Sequence, residues 1–161
     1  MPDTPPTRSI QLTVDGEPCS LDVEDRTLLT DALRHGLGRT GIHVGCEQGA
    51  CGACTVVLDG RPVRSCLVLA VQADGGQVGT VEGVAGPDRN HAVQRALHEH
   101  HGLQCGFCTP GIVVSLSHAL DSGATLDDAL DSVLGGHLCR CTGYVNIRAA
   151  VRAAWTGEEG P

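Results

Sequence analysis

Short runs of alternating hydrophobic and polar residues dominate the first half of the chain, which is the pattern of half-buried β-strands. Two turn pairs, Asp15-Gly16 and Asp59-Gly60, each separate two such runs and predict two hairpins. Residues 27–35 instead carry a helical apolar face, and residues 40–53 are glycine-rich and predict a loop. The predicted strands are residues 9–14, 19–23, 55–58, 63–71 and 78–81.

The spacing of hydrophobic residues becomes helical in the second half of the chain. Residues 82–90 combine Gly, Pro and Asp without periodicity and predict a linker. The pattern therefore predicts an α+β protein with two domains, a small mixed sheet with one helix over residues 8–84 and a helical bundle over residues 88–158. The four predicted helices are residues 91–101, residues 110–120, a helix from Thr125 to Gly135-Gly136, and one that includes Ile147 to Ala154.

The composition indicates that the two predicted domains need a source of stability besides their apolar cores. The 161 residues include only one Phe, one Tyr, one Trp and one Met, so the side chains that bury the most area are nearly absent. Two domains of this size gain little surplus stability from apolar cores alone, and small domains are commonly supplemented by cross-links or metals. The nine cysteines are the candidates for this role.

Charge and hydropathy exclude several classes of partner. The formal net charge is -8 and no run of Lys or Arg is present, which argues against a nucleic-acid or anionic membrane surface. No stretch is apolar enough for a secretory signal or a membrane span. We therefore expect a cytoplasmic protein, where reducing conditions favour thiols as metal ligands or redox groups over disulfides.

One group of four cysteines has the spacing C-x4-C-x2-C-x11-C, which matches the plant-type [2Fe–2S] pattern. Three thiolates from one short loop converge on a compact cluster only if the neighbouring residues are small. Glycine also permits the positive φ that such a loop requires. We therefore predict one [2Fe–2S] cluster on Cys46, Cys51, Cys54 and Cys66, within a loop whose small residues are Gly45, Gly49, Ala50, Gly52 and Ala53.

A second group has the spacing C-x2-C-x30-C-x-C and consists of Cys105, Cys108, Cys139 and Cys141. Both pairs precede predicted helix starts, where backbone N–H groups and the helix dipole favour anionic ligands. Four thiolates suffice for a second [2Fe–2S] cluster. The spacing by itself is equally compatible with a zinc ion, so zinc stays open for this set.

Other candidates for chemistry are weaker. A zinc or disulfide interpretation of the first set conflicts with its spacing, and neither C-x2-C pair lies between a strand and a helix as a thioredoxin-like pair would. Cys19 falls in a predicted strand and is expected to be a small buried hydrophobe. No Cys and His stand in the order of a Rieske centre. No Ser/His/Asp or paired-carboxylate arrangement is indicated, so we predict no catalytic residue.

The strings GCEQGACGACTV, QCGFCTPG and CRCTGY, in this order, resemble the iron–sulfur module of the xanthine oxidase (molybdenum hydroxylase) family. The resemblance spans roughly residues 8–155, with no departure at the cysteine positions of the two sets. A free chain of this length resembles the small subunit of split members such as aerobic carbon monoxide dehydrogenases, aldehyde oxidoreductases and N-heterocycle hydroxylases. The resemblance implies a β-grasp ferredoxin-like domain followed by a four-helix bundle domain.

The same resemblance implies an electron-transfer subunit with two [2Fe–2S] clusters. It would relay electrons from molybdopterin, expected as the cytosine dinucleotide, in a large subunit to FAD in a medium subunit, within a heterotrimer or a dimer of heterotrimers. The first cysteine set is implied to lie nearer FAD and the second nearer molybdenum, with Gln104 and Cys141 against the molybdopterin. Two alternatives stay open: a stand-alone two-cluster ferredoxin or redox sensor, and a zinc-stabilised interaction module.

Overall fold

The computed structural model describes residues 5–85 and 90–157. Within these residues, five strands form one mixed sheet in the order β2-β1-β5-β3-β4. The first two strands form one antiparallel hairpin and the next two another, while the last joins them, parallel to the first and antiparallel to the third. Both predicted hairpins are confirmed. The strands are β1 (Thr7–Val14), β2 (Glu17–Glu24), β3 (Thr55–Leu58), β4 (Arg61–Arg64) and β5 (Gln77–Gly79).

The helix predicted at residues 27–35 is present in a different form. Helix α1 is Leu29–Asp31, and it continues directly as a π-helix, Ala32–Gly36. Its side chains Leu29 and Leu33 are fully buried in the same apolar cluster as β1. The predicted loop at residues 40–53 is confirmed, since it contains no helix or strand.

The predicted strand at residues 63–71 is wrong beyond residue 64. The chain leaves the sheet in a 3-10 turn, Ser65–Leu67, and forms two further 3-10 turns at Ala70–Ala73 and Val81–Gly83. The Ser65 hydroxyl and N–H both donate to the Cys54 carbonyl, at 2.7 and 3.3 Å. This turn carries Cys66 toward the loop that bears the other cysteines of the first set, so a tertiary requirement overrides the strand propensity of the β-branched residues.

The second half of the described chain is helical. Helices α2 (Ala92–Glu99), α3 (Thr109–Asp121) and α4 (Val145–Thr156) are α-helical, whereas the third predicted helix is a π-helix, Asp128–Val133, followed by a 3-10 turn, Leu134–Gly136. Thr125 Oγ1 accepts a hydrogen bond from the Asp128 N–H at 3.1 Å, which confirms the predicted start of that segment. The predicted linker lies partly outside the described residues, as do residues 88 and 158.

Each half has its own cluster of buried apolar side chains. Cys54 and Cys66 belong to the first cluster, and Cys108 and Cys139 pack against the second. The two cysteine sets therefore lie at the edges of the two cores. None of the helices in the described part of the chain has the length and apolarity needed to cross a membrane.

Candidate metal centres

The loop between α1 and β3 contains Cys46, Cys51 and Cys54, and the 3-10 turn after β4 adds Cys66 to this first set. Three residues of the loop's cysteine-bearing part, from Cys46 to Cys54, have positive φ, namely Glu47 at 54°, Gly49 at 78° and Gly52 at 80°. Glycine adopts this conformation at little steric cost, which lets the short loop curl back on itself. A Cβ on Gly52 would lie 2.5 Å from His137 Nδ1, so the loop also needs glycine for its close approach to the second half of the chain.

The thiols of the first set differ in their surroundings. Backbone N–H groups of Gln48, Cys51 and Ala50 point at Cys46 Sγ and lower the pKa of that thiol to about 6. The Cys51 N–H is 3.4 Å from this sulfur. Burial, together with a hydrogen bond between the thiols of Cys66 and Cys54, raises the pKa of Cys66 to about 11. The set therefore has a half-exposed side rich in N–H donors and a buried side within the first core.

The second set is assembled from two helix starts. Cys105 and Cys108 immediately precede α3, which begins at Thr109, and Cys139 and Cys141 precede α4. The sulfurs of Cys105 and Cys141 are 3.5 Å apart, and both residues are exposed. Cys108 and Cys139 are half-buried and share a hydrogen bond.

Burial, together with the hydrogen bond to Cys139, raises the pKa of the Cys108 thiol to about 12. Burial also acts on Cys139, but hydrogen bonds from Thr142 and from the Cys141 backbone outweigh it, so the pKa of Cys139 is lowered. Thr142 Oγ1 is 3.1 Å from Cys139 Sγ. In each set, burial thus raises the pKa of one thiol, Cys66 or Cys108, and neighbouring hydrogen bonds lower the pKa of another, Cys46 or Cys139.

The residues of both sets fit [2Fe–2S] clusters. Within the described residues, no three His, Cys, Asp or Glu side chains are positioned to hold one metal ion. The thiols approach each other in pairs, and a cluster with two irons and four cysteine ligands would use two such pairs. The N–H donors directed at sulfur are of the kind that tunes such clusters. The contacting pairs are Cys46 with Cys51, Cys54 with Cys66, Cys105 with Cys141, and Cys108 with Cys139.

The two sets meet at a junction between the halves of the chain. The Leu138 N–H donates to the Cys51 carbonyl at 2.9 Å, which joins the residue before Cys139 to a ligand candidate of the first set. On another side, Phe107 stacks on His43 with ring centroids 5.0 Å apart, and its carbonyl oxygen is 2.9 Å from His43 Nδ1. Both contacts join one cysteine loop to the other.

Gln104 and Cys19, which the sequence analysis also considered, lie at different places in the structure. Gln104 is exposed beside the exposed pair Cys105 and Cys141, so it lies on the outer side of the second set. Cys19 lies on β2, half-buried against the first core, and its thiol donates to the Glu17 carbonyl at 3.4 Å. Cys19 therefore lies in a strand, as predicted, but it is half-buried where the sequence predicted a buried residue.

Several residues that support the second set were not singled out from the sequence. His137 is 2% exposed, with Nε2 2.8 Å from Ser115 Oγ, and burial and the nearby Arg64 charge lower the pKa of its imidazole to about 4. The Tyr144 hydroxyl donates to the His137 carbonyl at 3.0 Å and accepts from the Cys139 N–H at 2.8 Å. In the sequence, the only indication of a role for Tyr144 was its place in the string CRCTGY.

One Ser/His/Asp grouping appears in the structure that was not expected from the sequence. His91 Nδ1 is 3.0 Å from Ser117 Oγ, and His91 Nε2 is 3.2 Å from Asp121 Oδ1. The same Nδ1 accepts from the Val93 N–H at 3.2 Å, so His91 is the N-cap of α2. Ser117 is 3% exposed, and the grouping ties α2 to α3.

Comparison with known protein families gives two adjacent matches. Residues 12–80 match the family described as 2Fe-2S iron-sulfur cluster binding domain. Residues 80–152 match the family described as [2Fe-2S] binding domain. Each match contains one complete cysteine set.

Individual proteins match over most of the chain. The gamma subunit of caffeine dehydrogenase from Pseudomonas sp. (strain CBB1) is 51% identical over 148 residues, which are 89% of this chain and 89% of that protein. The nicotinate dehydrogenase small FeS subunit of Eubacterium barkeri is 42% identical over 147 residues, 91% of this chain and 94% of that protein. A chain in the crystal structure of quinoline 2-oxidoreductase from Pseudomonas putida 86 superposes with a TM-score of 0.83 at 44% identity, covering 94% of this chain and 98% of that chain.

Proposed function

Because the chain belongs to the family of iron–sulfur small subunits of xanthine oxidase-type dehydrogenases, we propose that it relays electrons through two [2Fe–2S] clusters. The relay runs from a molybdopterin centre in a large partner subunit to FAD in a medium partner subunit. The chain is an iron–sulfur subunit of an oxidoreductase, as its relatives are. We assign the bond chemistry on the substrate to the large partner.

One observation carries this proposal: the hydrogen bond between the Leu138 N–H and the Cys51 carbonyl joins the two segments that bear the two sets of four thiols. When bound, a [2Fe–2S] cluster accepts and releases single electrons. The chain's own residues hold the clusters, keep water from their inner thiols Cys54 and Cys66, and direct N–H donors at others. Burial and hydrogen bonding to sulfur are the means by which a protein sets a cluster's potential.

Each of the two sets has an exposed edge that a partner can reach, and the family resemblance supplies the direction that we propose for the relay. Gln104, Cys105 and Cys141 form an exposed edge of the second set, which we assign to contact with the molybdopterin. The first set has its own outer side at Cys46, which is half-exposed, and we assign this side to the flavin subunit. The two edges belong to different loops, so two partners can reach them separately.

The proposed assembly is a heterotrimer or a dimer of heterotrimers in the cytoplasm, with the molybdopterin as its cytosine dinucleotide. The names of the relatives, subunit gamma and small FeS subunit, support a multi-subunit enzyme. We propose domain limits of 8–84 and 88–158, with a four-helix bundle as the second domain. Caffeine, nicotinate and quinoline, named in the relatives, are nitrogen heterocycles and are the first substrates to assay with the assembled complex.

Cysteine-to-serine variants of the full chain test the two-cluster proposal. We expect Cys51→Ser and Cys108→Ser each to remove the electron paramagnetic resonance (EPR) signal of one cluster in the dithionite-reduced protein and to slow turnover of the assembled enzyme. Cys19→Ser is the matched control and should retain both signals. If Cys51→Ser or Cys108→Ser lost both signals while the chain stayed folded, the assignment of ligands to two sites would be wrong.

Co-purification distinguishes the relay from the two alternatives. A brown chain that purifies with a molybdopterin subunit and a flavin subunit supports the proposed function. A brown chain that purifies alone, from cells that contain the neighbouring gene products, supports a stand-alone ferredoxin or redox sensor. A colourless chain loaded with zinc supports the interaction module and contradicts both redox functions.

A further inference from the structure

Arg64 connects the two cysteine loops through its side chain. It is the last residue of β4, two residues before Cys66, and it is half-buried. Its Nη2 donates to the Gly136 carbonyl at 2.6 Å, three residues before Cys139. Its Nη1 donates to Thr55 Oγ1. The two arms of one guanidinium therefore contact both halves of the chain.

The Thr55 arm continues into the first cysteine loop. Thr55 is 2% exposed and directly follows Cys54, and its hydroxyl donates to the Gly52 carbonyl at 2.6 Å. Gly52 directly follows Cys51. Arg64 thus holds, through one hydroxyl, the short segment that connects two cysteines of the first set.

The Gly136 arm acts where the two halves are already in close contact. A Cβ on Gly52 would lie 2.7 Å from the Gly136 carbonyl oxygen, and a Cβ on Gly136 would lie 2.9 Å from Arg64 Nη2. Removing the guanidinium would leave that half-buried carbonyl without this donor, which costs free energy unless the segment moves to reach water. Any such movement shifts the residues that lead into Cys139.

We propose that Arg64 is the positioning residue that fixes the separation of the two clusters, an inference that rests on the proposed two-cluster function. Arginine suits this role because its planar fork offers two donors in fixed geometry, whereas a lysine ammonium is a single point charge on a flexible stem. The guanidinium charge also lies at the junction, since its Nη2 contacts the Gly136 carbonyl. Lysine would therefore preserve a role that depends only on this charge, whereas it would not preserve a positioning role that needs both donors of the arginine fork.

The test uses the magnetic interaction between the two clusters, which depends on their separation and not on turnover. The full chain is purified anaerobically, its iron and sulfide are assayed, and the dithionite-reduced protein is examined by low-temperature EPR for the splitting or relaxation enhancement that one cluster causes in the other. We expect Arg64→Gln to lose the well-defined interaction while retaining iron and sulfide. Arg61→Gln removes the same charge from an exposed position on the same strand and should retain the interaction.

Arg64→Lys separates position from charge. A positioning role predicts that Arg64→Lys also loses the defined interaction, whereas a purely electrostatic role predicts that Arg64→Lys behaves as the wild type; the second result would overturn the proposal. An interaction unchanged in Arg64→Gln would overturn it as well. If Arg64→Gln does not accumulate as a folded chain, Thr55→Val decides: it removes the hydroxyl between Arg64 and Gly52, and an unchanged interaction there overturns the proposal. A wild type without clusters would instead contradict the proposed function.

Discussion

Gly111 lies where α3 packs against the backbone of the first cysteine loop, and replacing it with alanine tests this packing directly. Gly111 is buried near the start of α3. An added Cβ would lie 3.0 Å from the Gly52 carbonyl carbon, 3.1 Å from Ala53 Cα, and closer still to the Gly52 carbonyl oxygen. All three atoms are backbone, so no side chain can rotate away to make room.

The magnitude follows from two opposing effects. Inserting a methyl into a packed site typically costs about 1–3 kcal/mol, and the rigid backbone opposite Gly111 places this case near the upper end. The better helix propensity of alanine recovers at most about 1 kcal/mol. The net loss of unfolding free energy is therefore about 2 kcal/mol, which corresponds to a fall in Tm of about 4–8 °C for a chain of this size.

The assay is thermal unfolding of the cluster-loaded chain at one heating rate, followed by far-ultraviolet circular dichroism and by visible absorbance. Gly135→Ala is the matched control because a Cβ there meets no atom within 4 Å. A glycine-to-alanine change without strain is expected to be neutral or stabilising by up to about 1 kcal/mol. If Gly111→Ala unfolded at the same temperature as Gly135→Ala, the close packing of α3 on the first cysteine loop would be refuted.

Three further predictions concern the second set and metal loss. Tyr144→Phe removes the hydroxyl that links the His137 carbonyl and the Cys139 N–H, so it should destabilise the chain by about 1–3 kcal/mol and alter the EPR signal of the second cluster alone. Ser115→Ala takes away the partner of His137 Nε2 and should lower the unfolding free energy by about 1–3 kcal/mol in denaturant titrations. Because α3 begins directly after Cys108 and α4 begins four residues after Cys141, chelating the metal under reducing conditions should lower the helical circular dichroism signal as the brown colour is lost.

Local patterns were sufficient to predict much of the fold. Asp15-Gly16 and Asp59-Gly60 form the turns of both hairpins, and each has its Asp and Gly at positive φ, which is what such turns require. The helix starts after residue 108 and near Thr125 were likewise indicated by nearby residues. These features depend on residues that are neighbours in sequence, so periodicity and turn chemistry suffice.

The features that failed or were missed depend on distant contacts. The segment after residue 64 has β-branched residues, yet Ser65 turns it out of the sheet by bonding to the Cys54 carbonyl, eleven residues away in sequence. Arg64 and His137 look like ordinary polar residues in the sequence. Their importance comes from Gly136 and Ser115, which only the folded chain places beside them. The grouping of the cysteines into two sets was predictable because their spacing along the sequence is typical of cysteines that bind one metal centre.

Metal and sulfide analysis of the anaerobically purified full chain tests the central claim most directly. Two clusters of two irons and two sulfides each predict about four irons and four inorganic sulfides per chain, with little zinc. A chain with well under two irons, and with its thiols accounted for by zinc or disulfides, would contradict the account.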